Sequence, residues 1–369
     1  IEVDANDPEL FIQTVKAIAP TFGGINLEDI KAPEAFEIER RLKEELDIPV
    51  MHDDQHGTAI ISSAALLNAL ELAKKKIEKV KVVVSGAGAS ALSCAKLYHA
   101  LGVKVENIFM FDSKGLIWAG RDGLDESKAF FAKHKKEVKF EEAFKKADVF
   151  LGLSRGGLVK KEMIKVMAKD PIVFALANPE PEISYKDATS VRKDIIMATG
   201  RSDHPNQVNN VLGFPFIFRG ALDVRATTIN EEMKLAAVKA IASLAKETIP
   251  EEVIEAYGEK NIQFGREQII PKPLDPRLIS TVAPAVAKAA MDSGVAKHPI
   301  TDWEAYEMEL LNRLGLDNKL IRNITEKAQN SPKRVVFAEA DNIKILKAAQ
   351  TASEEGVAIP ILLGKAKII

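Results

Sequence analysis

Two pairs of adjacent acids, Glu28-Asp29 and Asp53-Asp54, each follow a short apolar run, Gly24-Ile-Asn-Leu27 and Ile48-Pro-Val-Met51. Runs of this kind read as strands, so each pair is placed at a strand's carboxyl end. In a parallel sheet those ends share the edge where ligands bind. Four carboxylates converging there repel unless a cation neutralises them, and hard oxygen donors with room for a substrate suit Mg2+ or Mn2+. The competing reading is that Asp53 and Asp54 only cap the helix expected from Gly57 to Leu72. His52 and His56 have the i,i+4 spacing of a zinc-hydrolase helix. An Asp replaces the Glu such a site needs, however, and Gly57 interrupts the helix at once. The two are therefore read as loop residues or as groups backing the ligands.

A second constellation is Ser85-Gly-Ala-Gly-Ala-Ser-Ala91, directly after the apolar run Val80–Val84. Gly86, Gly88 and Ala91 occupy the three positions of a dinucleotide fingerprint. Gly86 permits a tight turn, Gly88 lets a pyrophosphate approach the backbone, and Ala91 allows close helix packing. The N–H groups of Ala87, Ala89, Ser90 and Ala91 then face the phosphates. Asp112 ends the next strand and is placed to bond a ribose diol, as in NAD sites. Ser113 and Lys114 offer a hydroxyl and a charge for a 2′-phosphate instead, so NAD and NADP both stay open. Lys114 reads equally well as a solvated loop lysine.

Neutral amides form the third set. Asn178 follows the buried run Ile172–Ala177, with Pro179 stopping any helix there. Asn206, Asn209 and Asn210 lie in the long polar loop after Ile195–Ala198. Such amides can hydrogen-bond a carboxylate or a nicotinamide carboxamide, although Asn-Pro and Asn-Asn are also ordinary turn residues. Pro271–Arg277 reads as a rigid loop with surface charges.

The elements that must hold these groups follow from pattern. Seven apolar runs between Gly24 and Ala198 alternate with segments of helical composition such as Ala91–Leu101 and Val159–Ala168. This predicts an α/β fold, a Rossmann-type doubly wound parallel sheet with helices on both faces. Gln55–Leu70 reads as a buried helix, and Glu231–Lys246 as a helix capped by Asn230. Another helix is expected from Pro284 to Ser293, and a charged helical connector from Lys297 to Pro332. A fresh strand, helix and strand follow at Arg334–Ala338, Asn342–Glu355 and Ala358–Leu363, the opening of a further α/β domain.

At 369 residues the length suggests two to three domains of ~150. A 46% hydrophobic, 28% charged composition with a net charge of -2 gives no electrostatic reason to expect nucleic acid or an anionic membrane as partner. No apolar run approaches the ~18 residues of a spanning helix. The single cysteine, Cys94, cannot form an internal disulfide, which points to a reducing, cytoplasmic compartment. The acidic stretch at Ile1 has no basic or apolar leader character and reads as the interior of a longer polypeptide.

Taken together, Gly24-Ile-Asn-Leu-Glu-Asp-Ile30, His52-Asp-Asp-Gln-His-Gly-Thr-Ala59, Ser85-Gly-Ala-Gly-Ala89, Asn178-Pro-Glu-Pro181 and Asn206-Gln-Val-Asn-Asn210 resemble the malic enzymes. The match runs in family order over most of residues 1 to about 300. The tail, Lys333–Ile369, is similar to the beginning of a phosphate acetyltransferase domain, a pairing typical of the long bacterial hybrid type. The resemblance implies the end of an N-terminal malic domain over 1–50 and an NAD(P)-binding domain over 51–296. It implies a connector over 297–331 and the start of the appended domain over 332–369.

It further implies oxidative decarboxylation of malate to pyruvate and CO2 with NADP, or NAD, and a divalent ion. Glu28, Asp29 and Asp54 would hold the ion with the catalytic Asp53 beside them. Asn178 and Asn209 or Asn210 would contact malate or the nicotinamide. The family's general-acid Tyr and general-base Lys belong to a segment that precedes Ile1 in family order. Self-association and a response to acetyl-CoA through the appended domain are also expected. Two alternatives remain: a metal-assisted dehydrogenase that does not decarboxylate, and a non-catalytic nucleotide-sensing module.

Overall fold

The first two apolar runs form their own sheet. β1 (Ile25–Leu27) and β2 (Val50–His52) pair in parallel, with Leu27 opposite His52. Helices α1 (Pro8–Ile18) and α2 (Glu34–Glu45) cover them through Ile12, Val15, Leu27, Ile38, Leu42 and Val50. The structure is a computed structural model that describes residues 1–5, 7–250, 253–254, 257, 263–273, 275–313, 327–354 and 356–364. It divides into two compact units, Ile1–Thr301 and Asp302–Ile369. The expected connector over 297–331 falls across that division, and its residues 314–326 lie outside those described.

β2 runs directly into α3 (Asp53–Ala73). This helix is buried around most of its circumference from Gly57 to Leu70, as a helix apolar on all sides must be. It packs against α4 (Ala89–Ala100), the helix Glu231–Leu244 and the main sheet. Asn68 pins it there, donating to the carbonyls of Ala242 and Ile269 at 2.8 Å each.

The main sheet contains β3 (Val82–Ser85), β4 (Ile108–Asp112), β5 (Gly115–Leu116), β6 (Val149–Gly152), β7 (Ile172–Ala175) and β8 (Ile196–Thr199). Their order is β5-β4-β3-β6-β7-β8, all parallel except β5. Every residue of β3, β6, β7 and β8 is buried, the signature of parallel strands covered on both faces. The doubly wound sheet expected from the alternating pattern is thus present. β3 and β6 are spatial neighbours although β4 and β5 lie between them in sequence, so the crevice at their carboxyl ends is the topological switch point.

Four expectations need correction. Gly57 does not interrupt the helix: α3 runs through it from Asp53 to Ala73, so His52 and His56 stand in β2 and α3 and not in a loop. β5, two residues long, is a strand that no sequence period reveals. The helix expected from Pro284 instead spans Arg277–Asp292 with Pro284 inside it, because a proline more often marks a helix start than its middle. Consequently Pro271–Arg277 is not a loop of surface charges. Asp275 is buried and holds Arg277 at 2.7 Å.

In the second unit β9 (Lys333–Ala338) pairs in parallel with β10 (Ala358–Leu363), joined by the helix Ile343–Glu354. Among the described residues no helix is long and apolar enough to cross a membrane.

Candidate active site

Because β1 and β2 are parallel and in register, the acid pairs that follow them emerge at one edge. Asp29 turns through the left-handed region (φ 58), and its N–H donates to Asp54 Oδ2 at 3.0 Å. That bond joins the two pairs. α3 has no side-chain cap, so the capping reading of Asp53 and Asp54 gains no support. Asp53, the first helical residue, is buried, and its Oδ1 has no hydrogen-bond partner. Burial pushes its carboxyl up to about 6; the Asn210 amide opposes that rise, and the Glu28 and Asp54 charges add to it.

The donor chemistry at this edge suits a hard divalent cation, and the unpartnered Asp53 oxygen fits such a neighbourhood. The side chains are not gathered into a closed coordination shell: among the described residues no three His, Cys, Asp or Glu side chains form one. Like charges repel, and three of the acids turn instead to N–H donors. Asp54 takes the Asp29 amide, Glu28 takes Asn26 Nδ2 at 2.8 Å, and Asp53 takes Asn210 Nδ2 at 3.2 Å.

Of the two histidines, His52 borders the acids and His56 turns away. His52 is fully buried, with Nδ1 4.0 Å from Asp54 Oδ2 and Nε2 3.2 Å from the Ile30 carbonyl, and His56 Nε2 lies 2.9 Å from Glu39 Oε1. Glu39, on α2, also accepts the His52 main-chain N–H at 3.1 Å and Lys43 at 2.7 Å. Despite its burial, His56 and Lys43 hold Glu39 well below the usual carboxylate range. Burial in turn keeps the His56 ring down to about 4, against the pull of Glu39. The pair thus backs the β2–α3 junction, and Glu39 is the member that the sequence did not single out.

Of the amides, Asn210 reaches the acids: Nδ2 donates to Asp53 Oδ2 at 3.2 Å, and Oδ1 accepts the Thr58 hydroxyl at 2.9 Å. Asn209 caps a turn through Val211 N–H at 3.0 Å. Asn206 is a buried strut that bonds the Met197 and Arg266 carbonyls and the Ile269 N–H. Asn178 stands at the end of β7 beside Gly200, where an added Cβ would lie 3.3 Å from its Oδ1. The structure therefore brings Asn210 to the acids and Asn178 to the edge of the main sheet.

The glycine-rich loop behaves as its residue types require. Gly86 turns at φ +114, where a Cβ would sit 2.5 Å from the Leu153 carbonyl. A Cβ on Gly88 would meet nothing within 4 Å, so the space above it is a cradle that any side chain would fill. No side chain caps α4, which leaves its first N–H groups free for an anion. Asp112 ends β4, accepts Lys114 N–H at 2.8 Å and pairs with Arg121 at 2.6 Å.

Comparison with known proteins places the chain in a family. Residues 55–256 match the family described as malic enzyme, NAD binding domain; 2–43 match malic enzyme, N-terminal domain; 319–369 match phosphate acetyl/butaryl transferase. A protein of Salmonella typhimurium named NADP-dependent malic enzyme is 55% identical over 100% of this chain and 49% of its own length. One of Rhizobium meliloti named NAD-dependent malic enzyme is 52% identical over 100% of this chain and 48% of its own. The chain spans about half the length of these curated relatives. The crystal structure of malic enzyme from Pyrococcus horikoshii is similar with a TM-score of 0.76 and 41% identity, over 89% of this chain and 74% of that one.

Proposed function

The chain belongs to the malic enzyme family, and we propose that it serves the oxidative decarboxylation of malate to pyruvate and CO2 with NADP, or NAD, as hydride acceptor. The observation that carries this reading is the Asp29 N–H on the Asp54 carboxylate, which joins two acid pairs at one edge. The Asn210–Asp53 bond ties that edge to the part of the fold holding the nucleotide loop.

Glu28, Asp29 and Asp54 are the residues that would hold Mg2+ or Mn2+. When bound, such an ion acidifies the substrate hydroxyl and polarises the ketone that follows, easing loss of the β-carboxylate. Asn210 fixes one oxygen of Asp53, and the other stays buried and unpartnered beside the substrate position. Asn178 and Asn210 offer neutral amides, which bind a carboxylate or a carboxamide without competing for the cation. The uncapped turn of α4 takes the pyrophosphate.

Arg121 meets the charge of Asp112, so that acid does not stand unpaired against a 2′-phosphate, and Ser113 and Lys114 follow it directly. This supports NADP while leaving NAD usable. Self-association, a cytoplasmic home and control by acetyl-CoA through the transferase-like tail belong to the same reading.

The test supplies malate, Mn2+ and NADP and measures three products together. Equal yields of NADPH, CO2 and pyruvate support the proposal. NADPH with no CO2 replaces it with a non-decarboxylating dehydrogenase, and nucleotide binding with no NADPH replaces it with a sensing module.

A further inference from the structure

We infer that Glu182 is a positioning residue for the dinucleotide, its buried carboxylate tying together the ends of three strands at the switch point. The inference rests on the cofactor reading above and adds a residue to it. Glu182 is wholly buried, and among the described residues no lysine or arginine is paired with it. Main-chain donors meet its charge instead. Oε1 accepts the Ser154 N–H at 2.9 Å, and Oε2 accepts the Ala177 N–H at 3.2 Å. Ser154 lies just beyond β6, and Ala177 lies just beyond β7, next to Asn178.

The third strand joins through a hydroxyl relay. Ser154 Oγ is 3.4 Å from Glu182 Oε1 and 2.8 Å from Ser85 Oγ, and Ser85 is the last residue of β3, immediately before Gly86. The fold reserves the space for this carboxylate: a Cβ on Gly152 would lie 2.3 Å from Glu182 Cδ. The chain at Pro181 and Glu182 adds two main-chain bonds to the same loop, from Gly157 and Val159 at 3.1 and 2.9 Å.

Burial pushes the pKa of this carboxyl up, against the N–H groups that lower it, so its charged form is held at a cost. An apolar side chain would fill the volume without that cost but would leave two N–H groups unpaired. What the carboxylate adds is a fixed distance between the loop after β6, the Asn178 turn and the glycine loop. Those segments are the ones a dinucleotide must touch at once. Glu182 makes its bonds beneath them, acting through Ser154 and Ala177 rather than on the ligand.

The test is a split between two affinities in the full chain: NADPH by its fluorescence, and Mn2+ by electron spin resonance of the free ion. In Glu182→Gln an amide NH2 faces a main-chain N–H, so the NADPH dissociation constant rises about tenfold while that for Mn2+ stays within about twofold. Ser154→Ala cuts only the relay to Ser85, and about a threefold rise is expected. A folded Glu182→Gln that binds NADPH like the wild type overturns the inference. So does a parallel loss of both affinities, which marks a general structural role. Should Glu182→Gln not fold, Ser154→Ala decides alone, an unchanged NADPH affinity overturning it. Wild-type protein that takes no NADPH overturns the cofactor reading itself, an outcome separate from wild-type binding that the variants leave untouched.

Discussion

Asn210 donates its side-chain amide to Asp53 over 3.2 Å although 157 positions separate them in the chain. The same amide's oxygen accepts from Thr58, so Asn210 is held by two residues of α3's first turns while fixing one oxygen of the acid. The other oxygen folds back over Gly57, where a Cβ would lie 2.3 Å from it and 2.8 Å from Asn210 Cγ.

Gly57→Ala therefore forces Asp53 or Asn210 out of place without touching the core behind them. We expect a stability loss of about 1–3 kcal/mol from overpacking. Turnover falls by about 100-fold, because a displacement near 1 Å at reacting groups has that effect. Urea unfolding and steady-state kinetics measure the two. Turnover within a few-fold of wild type would mean that Asp53 is not held for chemistry.

Gly86 and Gly88 separate folding from binding. Gly86→Val places a side chain at φ +114 and against the Leu153 carbonyl, so both stability and nucleotide affinity fall. Gly88→Val adds atoms only to open space at an ordinary φ of -82. Its melting temperature should match the wild type within about 2 °C, since surface changes stay within ~0.5 kcal/mol. NADPH affinity nevertheless drops by more than about tenfold through steric exclusion. Unimpaired binding by Gly88→Val would remove the fingerprint from the functional reading.

How far the sequence reveals this site depends on the range over which each feature acts. The glycine loop and both acid pairs are legible because a strand end and a helix start lie within a few residues of them. Which asparagine meets Asp53 is not, since Asn209 and Asn210 differ by one position in a loop whose path β8 and α3 decide. Glu39 and Glu182 are hidden in the sequence for different reasons. Glu39 is one of five glutamates between Glu34 and Glu45, yet it shares a helical face with the buried Ala35, Ile38 and Leu42, and that period is a usable signal. Glu182 follows a turn, and nothing local distinguishes it from a surface acid. Its partner Gly152 is the only trace, and only the sheet order brings the two together.

Glu39 should prove a stability residue whose loss is felt at the edge that carries the acids. Glu39→Ala leaves His56 and the His52 N–H without their acceptor in a buried setting, and removing one partner of such a network destabilises by about 3 kcal/mol. Urea denaturation measures this directly. A change below about 1 kcal/mol would show that solvent replaces the carboxylate freely.

Asp54→Ala tests the metal assignment without relying on turnover. Mn2+ titration should show an affinity loss of more than about tenfold, with the NADPH dissociation constant unchanged, because the acid edge and the nucleotide loop belong to different sheets. In the wild type, chelation by EDTA should abolish product formation and added Mn2+ should restore it. Mn2+ binding undiminished in Asp54→Ala would take that residue out of the ligand set.

Cys94 supplies a readout of folding that needs no turnover. Its side chain is fully buried on α4, and burial pushes the thiol up to about 12, only partly offset by the hydrogen bond from Ser62. The nucleophile is the thiolate, so at pH 8 the native protein should be almost inert to a thiol reagent such as DTNB, and one equivalent should react once urea unfolds it. The rate of labelling in the native state then reports opening of the α3–α4 contact, since Ser62 on α3 lies 3.6 Å from the sulfur. NADPH, by binding the first turn of α4, should slow that labelling in proportion to its occupancy. Labelling of the native chain as fast as that of free cysteine would contradict the packing of α4 against α3.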